Sequence, residues 1–136
     1  MQVMPSVIYK QAQVAVKYLR ALFGTKAFEN PKDHEVIARL ITYCTRNDTD
    51  ALIFDFFAGS GTTADAVIYA NRQDGERRKF ILVEMAEYFD SVLLPRIQKV
   101  MLVPDWKDGK PKRLPTKEEV ERTPRLVKML RLESYE

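Results

Sequence analysis

The chain has 136 residues, 46% of them hydrophobic and 30% charged, with a net charge of +3, one cysteine and one histidine. A single cysteine (Cys44) excludes an intrachain disulfide and a cysteine-based metal cluster, and a lone histidine (His34) argues against a metal site and against His-dependent acid–base chemistry. The charge is milder and more interleaved than a dedicated nucleic-acid-binding domain carries, and the length suits one domain.

In chain order, Ser6 is positioned to cap a helix over 7–23 that Gly24 ends. Ile8, Ala12, Ala15, Leu19 and Leu22 recur at helical spacing and form an apolar stripe that needs a packing partner. The segment is amphipathic and broken by charge, so neither a secretion signal nor a membrane span is expected, and the expected location is cytoplasmic. A second helix runs over 34–45, capped by Asp33, with Ile37, Leu40, Ile41 and Cys44 on its apolar face; Cys44 is expected to be a core thiol.

Asn47–Asp50 is a turn cluster. Ala51–Phe57 is a near-continuous apolar and aromatic run without helical period, expected to be a strand buried on both faces. It leads through Ala58, Gly59, Ser60 and Gly61 into a helix to about Asn71, with Thr62 or Thr63 as the expected cap and Ala66, Val67 and Ala70 facing the sheet. Gln73–Glu76 is a polar turn and Lys79–Glu84 a second buried strand. Strand, helix and strand in this order give a crossover connection between parallel strands. A helix over 87–101 follows, kinked or restarted at Pro95, with Tyr88, Phe89, Leu93, Leu94 and Ile97 expected on the sheet. Beyond Pro104 the composition turns to charge and proline. Lys107, Lys110, Lys112 and Arg113 beside Trp106 form the densest basic patch, diluted by Asp105 and Asp108 and read as ordinary solvated surface. Thr116–Glu119 has the capping-box pattern of a short helix stopped by Pro124, and Leu126–Leu132 alternates imperfectly as a late strand would.

The chemistry concentrates at Asp55–Thr63. Two glycines one residue apart let the backbone turn and approach a ligand, and the helix that follows offers unpaired N–H groups and a positive dipole end. Asp55 at the strand tip would repel a pyrophosphate but suits a ligand with an ammonium group and a nearby positive centre, as S-adenosylmethionine has. Glu84, at the tip of the neighbouring strand, suits the two hydroxyls of a ribose. Gly59-x-Gly61-x-x-Ala64 also fits a loose dinucleotide fingerprint, and the absence of a lysine after Gly61 disfavours a P-loop. A plain strand-to-helix turn needs Asp55, both glycines, the threonines and Glu84 to coincide by chance.

Asp55-Phe56-Phe57-Ala58-Gly59-Ser60-Gly61-Thr62-Thr63 resembles the cofactor motif of amino-group DNA methyltransferases. Phe28-Glu29-Asn30-Pro31-Lys32 is similar to the F-x-x-P-K segment that precedes the glycine motif in their circularly permuted β group, and Phe80–Met85 to the ribose-binding strand. Asp105–Lys110 and Arg131–Glu136 are similar to the tail of type III restriction–modification modification subunits. The resemblance extends from Tyr9 to Glu136. It implies an α/β, partial Rossmann-like, S-adenosylmethionine-dependent methyltransferase fold: a strand-helix-strand core with flanking helices and an incomplete sheet. Its implied divisions are an N-terminal amphipathic helix (1–24), a cofactor-binding part (25–103) and a charged extension (104–136). The cofactor contacts it implies are Phe28, Asn30, Pro31 and Lys32, then Asp55 to Thr62 (Phe56, Phe57, Ala58, Gly59, Ser60 and Gly61 between them), then Glu84 and Met85. Met85 would pack on the adenine, Phe28 would cover the adenine or methionine side, and Lys32 would meet the methionine carboxylate.

One departure matters as much as the match. In the family a (D/N/S)-P-P-(Y/F/W) loop holds the target amino nitrogen and stacks on the flipped base, and no Pro-Pro pair occurs in this chain. The resemblance therefore implies a C-terminal segment with no catalytic residue of its own, inactive without an N-terminal portion on the same or a separate chain. DNA would be met through the full enzyme, and a restriction subunit is a further implied partner. Adenine-N6 and cytosine-N4 targets both remain open. So do two other classes, a non-catalytic remnant that binds a ligand or partner and, less favoured, a dinucleotide-binding oxidoreductase fragment.

Overall fold

A computed structural model describes residues 3–133. Two four-residue strands, β1 (Leu52–Asp55) and β2 (Lys79–Leu82), pair in parallel, with Leu52 opposite Lys79 and Asp55 opposite Leu82. The crossover between them is the helix Thr62–Asp74, which is α3 after α1 (Ala12–Phe23) and α2 (His34–Cys44). Beyond β2 come a π-helical turn (Phe89–Leu93), α4 (Leu94–Leu102), a hairpin of β3 (Trp106–Lys107) and β4 (Lys110–Pro111), and α5 (Lys117–Arg122).

α3 is buried on nearly every side over its first ten residues, polar Thr62, Asp65 and Asn71 included, and it is the hub. Ala66, Val67 and Ala70 pack on Ala38 and Ile41 of α2, with Ile53 and Phe80 of the sheet alongside. Ile68 meets Leu19 and Leu22 of α1 and Val100 of α4. Ala64 meets Ala58, Leu93 and Ile97. The turn from α3 into β2 is closed by Asn71, whose side-chain amide donates to the Arg78 carbonyl and accepts from the Arg78 amide.

Several expectations need correction. The two strands are not buried on both faces: Ile53, Phe80 and Leu82 face the helices, while Leu52, Phe54 and Ile81 are about half exposed. Among the described residues helices cover one side of this sheet only, so the continuous apolar run alternates in burial. The ladder also stops earlier than expected, at Asp55 and Leu82, because the chain turns into the glycine loop. α1 starts at Ala12 rather than at Val7, Ser6 does not cap it, and Ile8 and Ala12 lie off its buried stripe. Lys10 is tied to Asp33 (3.0 Å) and Glu35 (2.5 Å), which holds the preceding chain against the start of α2 instead of in a helix. α3 runs three residues past Asn71, and its N-cap is Gly61 rather than a threonine. Cys44 is exposed at the end of α2, beside Tyr43 and Arg46, and is no core thiol.

Other readings hold. Gly24 ends α1 in the left-handed conformation, and Asp33 caps α2 by accepting the amides of Glu35 and Val36. The helix after β2 restarts at Leu94–Pro95, where a π-helical turn absorbs the amide that proline lacks. The Thr116–Glu119 capping box is present in full. Leu126–Leu132 forms no strand. Val127 packs near Phe80 and Leu82, but a cleft of about 430 Å³ separates this segment from β2. Of the Arg131–Glu136 motif, residues 134–136 lie outside the described residues.

Candidate functional site at the strand tips

β1 and β2 end side by side, and the chain leaving each one binds the other. The Val83 amide donates to the Asp55 carbonyl (2.9 Å) and the Ala58 amide to the Val83 carbonyl (3.1 Å). Between them the loop turns through Gly59 (φ +56°) and Gly61 (φ +80°) into α3. A side chain at Gly61 would begin 3.3 Å from Leu93, so a Cβ there is crowded as well as strained by the left-handed backbone. The first-turn amides of α3 have no carbonyl within the helix to bond.

Both predicted carboxylates lie at this loop. Asp55 accepts the Phe57 amide on one oxygen (3.1 Å) and the Thr63 hydroxyl on the other (2.6 Å). Glu84 accepts the Gly59 amide (2.9 Å) on one oxygen and the amides of Met85 (2.8 Å) and Ala86 (3.0 Å) on the other. Partial burial opposes the Glu84 charge, but those amides and the Tyr88 hydroxyl outweigh it and hold the carboxyl below its ordinary range. With about four acceptor positions per carboxylate, Asp55 keeps two, while the three amides on Glu84 leave one, which the Tyr88 hydroxyl takes.

The remaining predicted residues separate by orientation. Phe28 lies 3.9 Å from where a Gly59 side chain would begin, and meets Tyr88 edge-on at 5.2 Å. Phe57 and Met85 are exposed at 87% and 93%, so the strand tips present open apolar surface beside the two acids. Phe56 is also exposed and packs against Phe54 with ring centroids 4.3 Å apart and the planes tilted by 58°. Pro31 is buried, whereas the Asn30 and Lys32 side chains are exposed. Ser60 and Thr62 are buried, and their hydroxyls point inward, so outward contact from these two falls to their backbone.

What receives those hydroxyls was not legible as a site. Arg96 of α4, fully buried, donates from one terminal nitrogen to the Ser60 carbonyl (3.3 Å), the Ser60 hydroxyl (3.0 Å) and the Thr62 hydroxyl (3.1 Å). Its Nε donates to Asp65 at 2.9 Å, and its other terminal nitrogen lies 2.8 Å from the same oxygen, close enough to attract but too poorly aligned for a hydrogen bond. Tyr18 of α1 donates to the second Asp65 oxygen (3.2 Å) and stacks on His34 (4.1 Å). Thr62 in turn donates to the Lys32 carbonyl at 3.4 Å. The available signal was two unmatched charges, Asp65 and Arg96, each on the apolar face of its helix.

Comparison with known proteins gives three kinds of result. A family model described as DNA methylase matches residues 4–93. The Mod subunit of the type III restriction-modification enzyme EcoPI, from Escherichia phage P1, is 42% identical over 85 residues, which are 60% of this chain and 13% of that subunit. The StyLTI Mod subunit from Salmonella typhimurium is 44% identical over 66 residues, 48% of this chain and 10% of that subunit. The type II methyltransferase M.KpnI from Klebsiella pneumoniae is 46% identical over 70 residues, 52% of this chain and 16% of that enzyme. No solved structure matches.

Proposed function

This chain belongs to the DNA methylase family, and from that premise we propose that it is the S-adenosylmethionine-binding C-terminal segment of a site-specific DNA adenine-N6 methyltransferase. The observation that carries the reading is the pair of acids at adjacent strand tips, Asp55 and Glu84, both bonded to one glycine loop, Asp55 with two acceptor positions left and Glu84 with one held only by the Tyr88 hydroxyl, which a ribose hydroxyl can replace. Asp55 meets the ammonium and sulfonium end of the cofactor, and Glu84 meets the ribose. Phe28 and Met85 flank the adenine, Lys32 attends the methionine carboxylate, and the loop from Phe56 to Thr62 contributes mainly backbone. The exposure of Phe57 and Met85 beside two acids fits a ligand with an aromatic end and cationic groups.

S-adenosylmethionine supplies a methyl group already activated on sulfur, so the chain's own residues have to bind and orient rather than to move protons. The sequence holds no Pro-Pro-aromatic loop to grip a base, and we infer that the chain transfers no methyl group by itself. An N-terminal portion of the enzyme provides that loop and the contacts with DNA, and a restriction subunit is a further partner. In this reading the fold is a partial Rossmann-like one. Residues 25–103 form its cofactor part, residues 1–24 an N-terminal arm, and residues 104–136 a surface extension. No helix among the described residues is long and apolar enough to cross a membrane.

The test is calorimetric titration of the purified chain with S-adenosylmethionine, alongside Asp55→Ala and Glu84→Ala and with a nicotinamide dinucleotide as control ligand. Micromolar binding that either substitution abolishes is the expected result. A folded chain that ignores S-adenosylmethionine, or prefers the dinucleotide, sinks the proposal.

A further inference from the structure

We infer that Arg96 is the positioning residue of the glycine loop: it fixes the loop's shape from beneath, while touching no ligand itself. The inference rests on the reading of that loop as the cofactor's cradle, but its geometry is independent of any ligand. A loop turning through two left-handed glycines has little intrinsic preference for one shape, since glycine admits many backbone conformations. Something outside the loop has to select it. Arg96 reaches across 36 residues of chain and puts one guanidinium nitrogen within hydrogen-bond distance of three loop oxygens, on Ser60 and Thr62. The planar fork makes this possible, because Asp65 accepts from Nε and draws the third nitrogen close by charge alone, which fixes the plane. Arg96, Ser60, Thr62 and Asp65 are all buried. A charge there is deprived of water, so the Asp65 carboxylate and the loop oxygens have to compensate it. The network also reaches outward: the Thr62 hydroxyl continues to the Lys32 carbonyl, and Tyr18 joins Asp65 to the ring of His34. One side chain thus couples the two segments that the cofactor reading uses, Phe28–Lys32 and Asp55–Thr62.

The experiment is residue-resolved amide hydrogen exchange on the whole chain, comparing wild type with Arg96→Lys. Lysine keeps the charge for Asp65 but, as a point donor, cannot hold the fork. A positioning role predicts that the Gly59 and Gly61 amides exchange about tenfold faster or more, the scale of one lost charged hydrogen bond, while amides in the middle of α2 such as Leu40 keep their rates. Equal acceleration of both regions, or of neither, overturns the inference, since a merely structural role moves all amides together. Should Arg96→Lys fail to fold, Thr62→Val gives the same comparison: it leaves the Arg96–Asp65 pair intact and removes one loop acceptor. In the titration with S-adenosylmethionine, a folded Arg96→Lys chain that binds as wild type also overturns it. A wild-type chain that binds nothing sinks the cofactor reading instead, and leaves the exchange comparison to decide this one.

Discussion

Glu84 accepts the Gly59 amide at 2.9 Å across 25 residues of chain, joining the tip of β2 to the turn that leaves β1. Burial works against the carboxylate, but the amides of Ala86, Gly59 and Met85 prevail and hold its folded pKa below the ordinary 4.5. A depressed carboxyl stabilises the fold above its unfolded pKa, and that stabilisation is lost as pH falls from about 4.5 through the lower folded value. Glu84→Gln should cost about 1 kcal/mol or less at neutral pH, because solvent screens so shallow a carboxylate, and should flatten the acid limb of the stability curve. Urea unfolding between neutral pH and about pH 3 measures both effects. An acid limb that keeps its wild-type slope in the variant refutes the assignment.

His34 yields a second pH prediction, with its own sign. Burial comes first and lowers its pKa below 6.5; Arg96 adds to this, while Asp65, Asp33 and Glu35 oppose it, and the rings of Tyr18 and Tyr69 enclose it. The folded chain thus keeps the imidazole neutral where the unfolded chain takes a proton. Stability should be complete above about pH 6.5 and fall as pH drops below it, by at most ~1.4 kcal/mol per pH unit. His34→Phe keeps a stacked ring, removes the titration and should abolish that slope. Thermal melts at a series of pH values check it.

The two loop glycines should differ in their tolerance of a methyl group. At Gly61 a Cβ meets Leu93 at 3.3 Å on a backbone with φ +80°, whereas at Gly59 the nearest atoms are 3.8 and 3.9 Å away. Gly59→Ala should cost ~1–2 kcal/mol, the left-handed penalty alone. Gly61→Ala should cost ~2–4 kcal/mol, because it adds crowding against a core leucine. Chemical denaturation of both variants tests the ranking, and equal costs would show that Leu93 gives way freely.

How far the sequence disclosed this molecule depends on which physics each element obeys. Local rules were readable: Asp33 and Thr116 as caps, Gly24 as a stop, and the strand–glycine–helix–strand order that sets Asp55 beside Glu84. Rules that depend on distant partners were not. Ala51–Phe57 looked buried on both faces because apolar content says nothing about whether a layer is present to cover it. The start of α1 was misplaced because Lys10 pairs with Asp33 and Glu35, residues more than 20 positions away. The Arg96–Asp65 pair was missed for the same reason: 31 residues separate them, and only the packing of α4 on α3 brings them together. The β3–β4 hairpin was the avoidable miss. Asp108-Gly109, with φ of 50° and 77°, is the two-residue turn that such a hairpin calls for.

The outer face of the β1–β2 sheet carries the last prediction. Parallel register sets Phe54 beside Ile81, the Phe54 ring packs at a tilt against Phe56, and Leu52 and Phe54 are more than half exposed. An apolar sheet face flanked by unpaired strand edges is a template for association. In the proposed enzyme the N-terminal portion covers it; in the isolated chain a second copy is the available cover. The chain should therefore self-associate in a concentration-dependent way, and Phe54→Lys should shift it toward monomer. The same substitution should cost the isolated chain only about 1 kcal/mol, because half of the side chain it replaces already faces water and its main aromatic contact is the exposed Phe56. Sedimentation velocity of both proteins over a range of concentrations decides the matter. A wild-type chain that stays monomeric at the highest concentration would show that this face is tolerated bare.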